Sequence, residues 1–352
     1  MREIKKTIAI FLILAAIFSL TACGGGGSKQ GTSSTIMVFN WVDYIDESVL
    51  EDFEEEYGIK VNYDYFTTNE EMYVKLKAGG TSYDVIFPSD YMIARLVKED
   101  LLQKIDISKI TNFEHIGDTF KSLNYDPDNE YSVAYMWGTT GIVYNTTMVD
   151  EPVDSWNMLW NPKYEKNIFM LDSQRDSIAV ALMKLGYSLN TRDEAELQEA
   201  KQELIKQRPL VLSYGGDEIK DKMIGGEAAM TMAWSGDAAY MRWKNEDLAY
   251  AIPKEGTNLW FDAMVIPKTS RNKEAAEKFI NFMTDPDNAL RNAEYIGYST
   301  PNLAALEMLD EEIRNDKAAY PDMDSLKSEV CEDLSDIIGV YNRIWDEIKA
   351  SQ

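Results

Sequence analysis

Apolar positions recur along this chain with two periods, and the switches between them mark its elements. Ile36 to Trp41 is a largely apolar run of strand length. Glu47 to Tyr57 then carries Val49, Leu50, Phe53 and Tyr57 at helical spacing and stops at Gly58. Ile59 to Phe66 returns to alternation, with Ile59, Val61, Tyr63 and Tyr65 on one face. Asn69 to Ala78 reads as helix ending at Gly79-Gly80, Asp84 to Pro88 as a short strand, and Tyr91 to Glu99 as another helix. Strands and helices in this alternation predict a parallel α/β sheet with crossover helices.

The pattern changes at Tyr131 to Asn145, a long β-prone segment containing Gly138 and Gly141, and elements begin afresh beyond it. A strand is expected at Ile168 to Leu171, helices at Ser177 to Leu185 and Asp193 to Lys206, and strands at Leu210 to Ser213, Ala228 to Trp234 and Leu248 to Ile252. Ala263 to Ile266, closed by Pro267, is a buried strand by the same criteria, with Trp260 and Asp262 just before it. Helices follow at Lys273 to Met283, with Asn272 as N-cap, and at Pro286 to Ile296. From Leu303 to the end the chain reads as helical and acidic, with Leu334, Ile337, Ile338, Tyr341, Ile344, Trp345 and Ile348 facing a core. The chain thus leaves one α/β unit near residue 138 and re-enters it near residue 262, which predicts two lobes joined by a hinge.

Length agrees with two units, since 352 residues exceed one ordinary core. Arg2, Lys5 and Lys6, the apolar run Ile8 to Leu20 and the phrase Leu20-Thr21-Ala22-Cys23 predict a secretory signal over residues 1–22. The run is short for the alternative, an uncleaved anchor. Those last four residues resemble a bacterial lipobox, which would make Cys23 the lipidated first residue of the mature chain at the outer face of the cytoplasmic membrane. Residues 24–34 are rich in Gly and Ser, as a flexible tether is. Cys331 is the other cysteine, so no disulfide partner remains. Removing residues 1–22, with three basic residues and one acidic, takes the formal charge from -25 to -27. Such acidity argues against nucleic acid and anionic lipid as ligands.

The inventory sets aside several enzyme classes. One histidine, His115, cannot furnish a His-rich metal site, and no cofactor motif, nucleophile elbow or phosphate loop is present. Paired carboxylates of a glycosidase stay open as an alternative. What recurs is an aromatic beside an acid at a strand end: Trp41-Val42-Asp43-Tyr44, Pro88-Ser89-Asp90-Tyr91, Leu171-Asp172-Ser173 with Asp176, Trp234-Ser235-Gly236-Asp237, and Trp260-Phe261-Asp262. Open α/β sheets bind ligands at the carboxyl ends of their strands. An acid against an aromatic wall suits an organic cation. The plainer reading is rim packing and helix capping, and it applies above all to Asp237, ahead of a helix expected over Ala238 to Lys244.

The phrases N-W-V-D-Y at 40–44, N-E-E-M-Y-V-K-L-K at 69–77, K-I-T-N-F at 109–113, M-W-G-T-T-G at 136–141 and I-G-Y-S-T-P-N at 296–302 resemble the spermidine/putrescine-binding proteins of polyamine ABC transporters, the PotD type. The resemblance runs in order from Ile36 onward. It implies a type II periplasmic-binding-protein fold, with one lobe of residues 35–138 plus 262–306 and the other of 139–261 plus 307–352. A polyamine would lie in the cleft between them. Such a protein is a monomeric receptor that hands its ligand to a permease, not an enzyme, and a same-fold receptor for another cationic or neutral solute is the alternative. Carried over by the resemblance, the aromatic box is Trp41, Tyr44, Tyr91, Trp234, Trp260 and Tyr298. The amine-binding acids are Asp43, Asp176 and Asp262, with Ser89 and Ser173 as polar contacts. Val42, Ser173 and Cys331 stand where spermidine-binding members often carry a hydroxyl residue, an acid and a glutamine. Asp237 matches an acid of the putrescine-preferring branch. The ligand class follows from the resemblance, and the individual polyamine does not.

Overall fold

The computed structural model describes residues 35–351. The expected signal, Cys23 and the tether lie outside the described residues. Eleven strands form the sheet: β1 (Thr35–Trp41), β2 (Lys60–Phe66), β3 (Val85–Ile86), β4 (Leu102–Gln103), β5 (Ser132–Asn145), β6 (Ile168–Leu171), β7 (Val211–Gly215), β8 (Met230–Trp234), β9 (Leu248–Ala251), β10 (Thr257–Pro267) and β11 (Ser328–Glu329). Their order is β2-β1-β3-β10-β5-β8-β6-β7, with β4 and β11 on β10 and β9 on β5.

The sheet is two parallel triplets joined by an antiparallel pair. β1 lies parallel between β2 and β3, and β6 lies parallel between β7 and β8. β5 and β10 run antiparallel between the triplets. Ser132 to Thr139 of β5 pairs with β10, and Thr140 to Tyr144 pairs with β8, so β5 changes partner at one peptide bond.

Alternation divides the side chains as a strand period requires. In β1, Val38 enters a core with Val49, Phe53, Phe279 and Ile280, while Phe39 enters one on the opposite face with Phe66, Met72, Tyr83 and Ile93. The helix Glu47–Tyr57 has the expected bounds. Asp46 accepts from the Ser48 amide at its start, and Gly58 ends it at φ 64, a conformation glycine adopts without Cβ strain. Asn69–Ala78 also has the expected bounds, capped by Thr68 on the Glu71 amide.

Some of the expected elements need correction. The helix expected from Ser177 begins at Gln174, because the Ser173 side chain accepts from the Asp176 amide and caps it three residues earlier. Asn272 precedes Lys273–Met283 without a side-chain cap bond, and its Nδ2 donates instead to Asp84 Oδ2 at 3.2 Å. The chain beyond Leu303 is not continuously helical: only Leu303–Met308, Glu311–Arg314 and Ile338–Ala350 are. Pro321 withholds a donor, and turn formers follow it, Asp322 Oδ1 accepting from the Asp324 amide at 3.3 Å. The last helix buries Tyr341, Ile344, Trp345 and Ile348 against Ile178, Leu182, Leu197 and Leu204, which is the core expected for it.

Candidate functional site

The carboxyl ends of both triplets open onto one cleft of about 620 Å³, and all thirteen residues singled out as ligand contacts line it. β1 delivers Trp41, Asp43 and Tyr44, and the end of β3 delivers Ser89 and Tyr91. β6 leads to Ser173 and Asp176, and β8 to Trp234 and Asp237. β10 contributes Trp260 and Asp262, and the segments after Ile296 and β11 add Tyr298 and Cys331.

Each wall is fixed from behind. Trp41 donates from Nε1 to the Phe87 carbonyl at 2.8 Å and packs against Phe66. Asp43 sits beyond β1 at φ 50, a left-handed conformation that Asp tolerates, with its side chain exposed. Tyr44 stands edge-on to Tyr135 and Tyr298 and donates its hydroxyl to Asp262 Oδ2 at 2.8 Å. Asn69 donates to Ser89 Oγ at 3.1 Å and to the Tyr91 hydroxyl at 3.2 Å, and that hydroxyl donates to Glu70 at 3.0 Å. Two glycines make sockets for rings. A Cβ at Gly138 would lie 2.5 Å from the Trp260 ring, and one at Gly236 would lie 2.2 Å from the Tyr298 ring.

Trp260 and Asp262 do not precede their strand as expected. They lie inside β10, which begins at Thr257 because β5 and β11 pair its first residues. The register shifts between Asp262 and Ala263, where Ala263 donates its amide to the Pro88 carbonyl at 3.1 Å. Ser89 forms a single bridge with Asp262 at the same place.

Burial governs the carboxyl groups. It pushes Asp262 up to about 6, against the Ser89 and Tyr44 hydroxyls and with help from Asp176. Asp176 is raised by burial too, opposed by Ser173, Trp234, Arg175 and Asn258 around it. Ser173 Oγ lies 2.6 Å from Asp176 Oδ2. Asp237 rises to about 6 by burial, with Lys220 pulling it down and Asp217 pushing it up. It does not cap its helix. Ser235–Lys244 is preceded by Trp234 and has no side-chain cap bond, so Asp237 falls in the first turn and faces the Tyr298 hydroxyl. Among the described residues no ion pair reaches Asp176 or Asp262. Asp262 Oδ1, Asn258 Oδ1 and Trp260 Nε1 are buried without a hydrogen-bond partner.

The structure adds groups that sequence reasoning passes over. Asp90, within the phrase P-S-D-Y, turns inward: its two oxygens accept from the Tyr91 and Phe261 amides at 2.6 and 3.0 Å, tying β10 to the helix Asp90–Lys98. Arg175 is buried between the Tyr91 and Tyr341 rings beside Cys331, whose thiol is pushed up to about 12 by burial. Lys220, from the helix Glu218–Ile224, reaches the cleft with Nζ 3.3 Å from Asp217 Oδ1 and 3.6 Å from Asp237 Oδ1. The phrase Tyr214-Gly215-Gly216-Asp217 at the end of β7 is the available signal for the last of these, an aromatic three residues before an acid as in Trp234-Ser235-Gly236-Asp237. Among the described residues no group of three or more His, Cys, Asp or Glu could hold a metal ion, and no helix is long and apolar enough to cross a membrane.

Two strand-end sets that face one cleft, with aromatic walls and a buried acid from each side, define a solute-binding architecture. The chain belongs to the bacterial extracellular solute-binding proteins, whose family model matches residues 48–321. It is 39% identical over 334 residues to the spermidine/putrescine-binding periplasmic protein of Salmonella typhimurium, covering 94% of this chain and 96% of that one. Identity to the putrescine-binding periplasmic protein PotF of Escherichia coli is 30%, covering all of both chains. Among solved structures, a putative spermidine/putrescine ABC transporter from Listeria monocytogenes superposes with TM-score 0.88 at 46% identity, covering 91% of this chain and 100% of that one.

Proposed function

We propose that this protein captures a linear polyamine, putrescine or spermidine, in the aromatic and acidic cleft and delivers it to an ABC permease by binding alone, without covalent chemistry. The observation that carries the reading is the pair Asp176 and Asp262, a half-buried and a buried carboxyl beside the Trp234 and Trp260 rings, neither of them in an ion pair although Arg175 acts on Asp176 from a distance. A polyamine supplies what they lack, ammonium groups separated by methylenes. Each ring face adds about 0.5 to 2 kcal/mol of cation–π attraction. Trp41, Tyr44, Tyr91 and Tyr298 complete the wall, Asp43 and Asp237 take ammonium at its edge, and Ser89, Ser173 and Cys331 are the polar contacts.

Lobes of residues 35–138 plus 262–306 and 139–261 plus 307–352 close on the ligand about β5 and β10. The change of β5 partner at Thr139 and Thr140 supports that division. Acids that repel across an empty cleft favour the open state until ligand arrives. The mature chain works as a monomer held at the outer face of the cytoplasmic membrane by lipidated Cys23 and the tether of residues 24–34. Titration calorimetry of the mature protein with putrescine, spermidine and spermine tests the central claim. Saturable heat with at least one is expected, and none with all three overturns it.

A further inference from the structure

Among the described residues three basic side chains line the cleft, Arg175, Lys220 and Lys349, and Lys220 is the one set against the acid Asp237. Its side chain is 16% exposed, and its ammonium lies between Asp217 and Asp237 with Asp43 close enough to act on it. Burial alone would drive the proton off; these three carboxylates outweigh it and hold the ammonium charged. Both contacts are longer than an ordinary hydrogen bond, 3.6 Å to Asp237 and 3.3 Å to Asp217, whose side chain is 40% exposed. The lysine is thus held by charge, without a short hydrogen bond, between an inner acid and a more exposed outer one. Its stem is four methylenes ending in a primary ammonium, the same group that terminates putrescine and one arm of spermidine.

We propose that Lys220 is a built-in competitor for the ammonium site of Asp237: a tethered aminobutyl group that a ligand must displace toward Asp217. This rests on the polyamine reading above. Three observations support it. The Lys220 ammonium and a ligand ammonium have the same chemistry and would meet the same carboxylate. The outer acid Asp217 offers the lysine a place to retreat. Asp237 is bound to no helix terminus that would need it for capping. The lysine therefore lowers affinity for ligands that reach Asp237 and sets which polyamines the cleft prefers.

Removing the ammonium should tighten binding. Lys220→Met is expected to bind at least one of putrescine, spermidine and spermine about tenfold more tightly than wild type at low ionic strength, about 1.4 kcal/mol. The gain should vanish when Asp237→Asn is added, because the freed carboxylate is its source. Lys220→Gln serves if the methionine variant melts early. On the unsubstituted protein, the Nζ resonance of Lys220 should shift when ligand saturates the cleft. Unchanged or weaker binding in the substituted proteins, a gain that survives in the double variant, or a still Nζ resonance each overturns the inference while leaving the polyamine reading in place. Wild-type protein that binds none of the three overturns both.

Discussion

The cleft holds two groups of carboxyls that differ in what neutralises them. Asp262 is buried with hydroxyl neighbours and Asp176 is half-buried with hydroxyl and indole neighbours and Arg175 at a distance, neither in an ion pair, whereas Asp217 and Asp237, with Asp43 nearby, share the ammonium of Lys220. Burial pushes Asp237 and Asp262 to the same value, about 6, yet for one the opposing influence is a resident cation and for the other hydrogen bonds. The difference teaches that a buried acid is available to a ligand only to the extent that the protein has not already supplied its counter-ion.

The comparison breaks if the two groups respond alike to substitution. Asp262→Asn removes an acid with no competing cation and should cost about ten- to a hundredfold in polyamine affinity, about 1.5 to 3 kcal/mol, by calorimetric titration. Asp237→Asn should cost about three- to tenfold, since its charge is already shared with Lys220. The reverse order would show that the lysine is a bystander and that Asp237 is the principal anchor.

A smaller effect concerns pH. Asp237 and Asp262 have folded values of about 6, above the ordinary carboxylate value, so between roughly pH 4 and 6 the folded state binds more protons than the unfolded chain. Through these two groups the empty protein therefore loses stability as pH rises through that window. Ligand needs them charged, so affinity moves the other way. The melting temperature of the free protein should fall by a few degrees from pH 5 to pH 7.5 while the ligand-induced increase grows. An increase that is flat across the window would mean the carboxyls are not the ligand's partners.

Much of this molecule is legible in its amino-acid sequence. The helices at 47–57 and 69–78 carry their own stop signals at Gly58 and Gly79, and the strand-end phrases put eleven side chains in one cleft, with Tyr298 and Cys331 added by the family resemblance. What escapes is set by contacts remote along the chain. Trp260 and Asp262 look like a loop before a strand, and only pairing with Gly138 and Met136 of β5 extends β10 over them. Asp90 reads like Asp43 and Asp262 in its phrase, but its oxygens are spent on backbone amides, one of them 171 residues away. Lys220 lies in the first turn of a short helix, three residues past Asp217, and a basic side chain falls outside a pattern of acids and aromatics. The C-terminal segment reads as continuous helix from composition, although Pro321 is there to interrupt it.

The two glycine sockets bear on how such a cleft could be retuned, by selection or by design. Trp260 and Tyr298 are each seated against a residue with no side chain, so even a methyl at Gly138 or Gly236 would collide with a ring rather than adjust it. Variation in ligand preference is thereby channelled away from the aromatic wall. The acid at Asp43 and the ammonium at Lys220 are not seated on those glycines, so a change of charge there would alter what the cleft prefers while the aromatic wall stays in place.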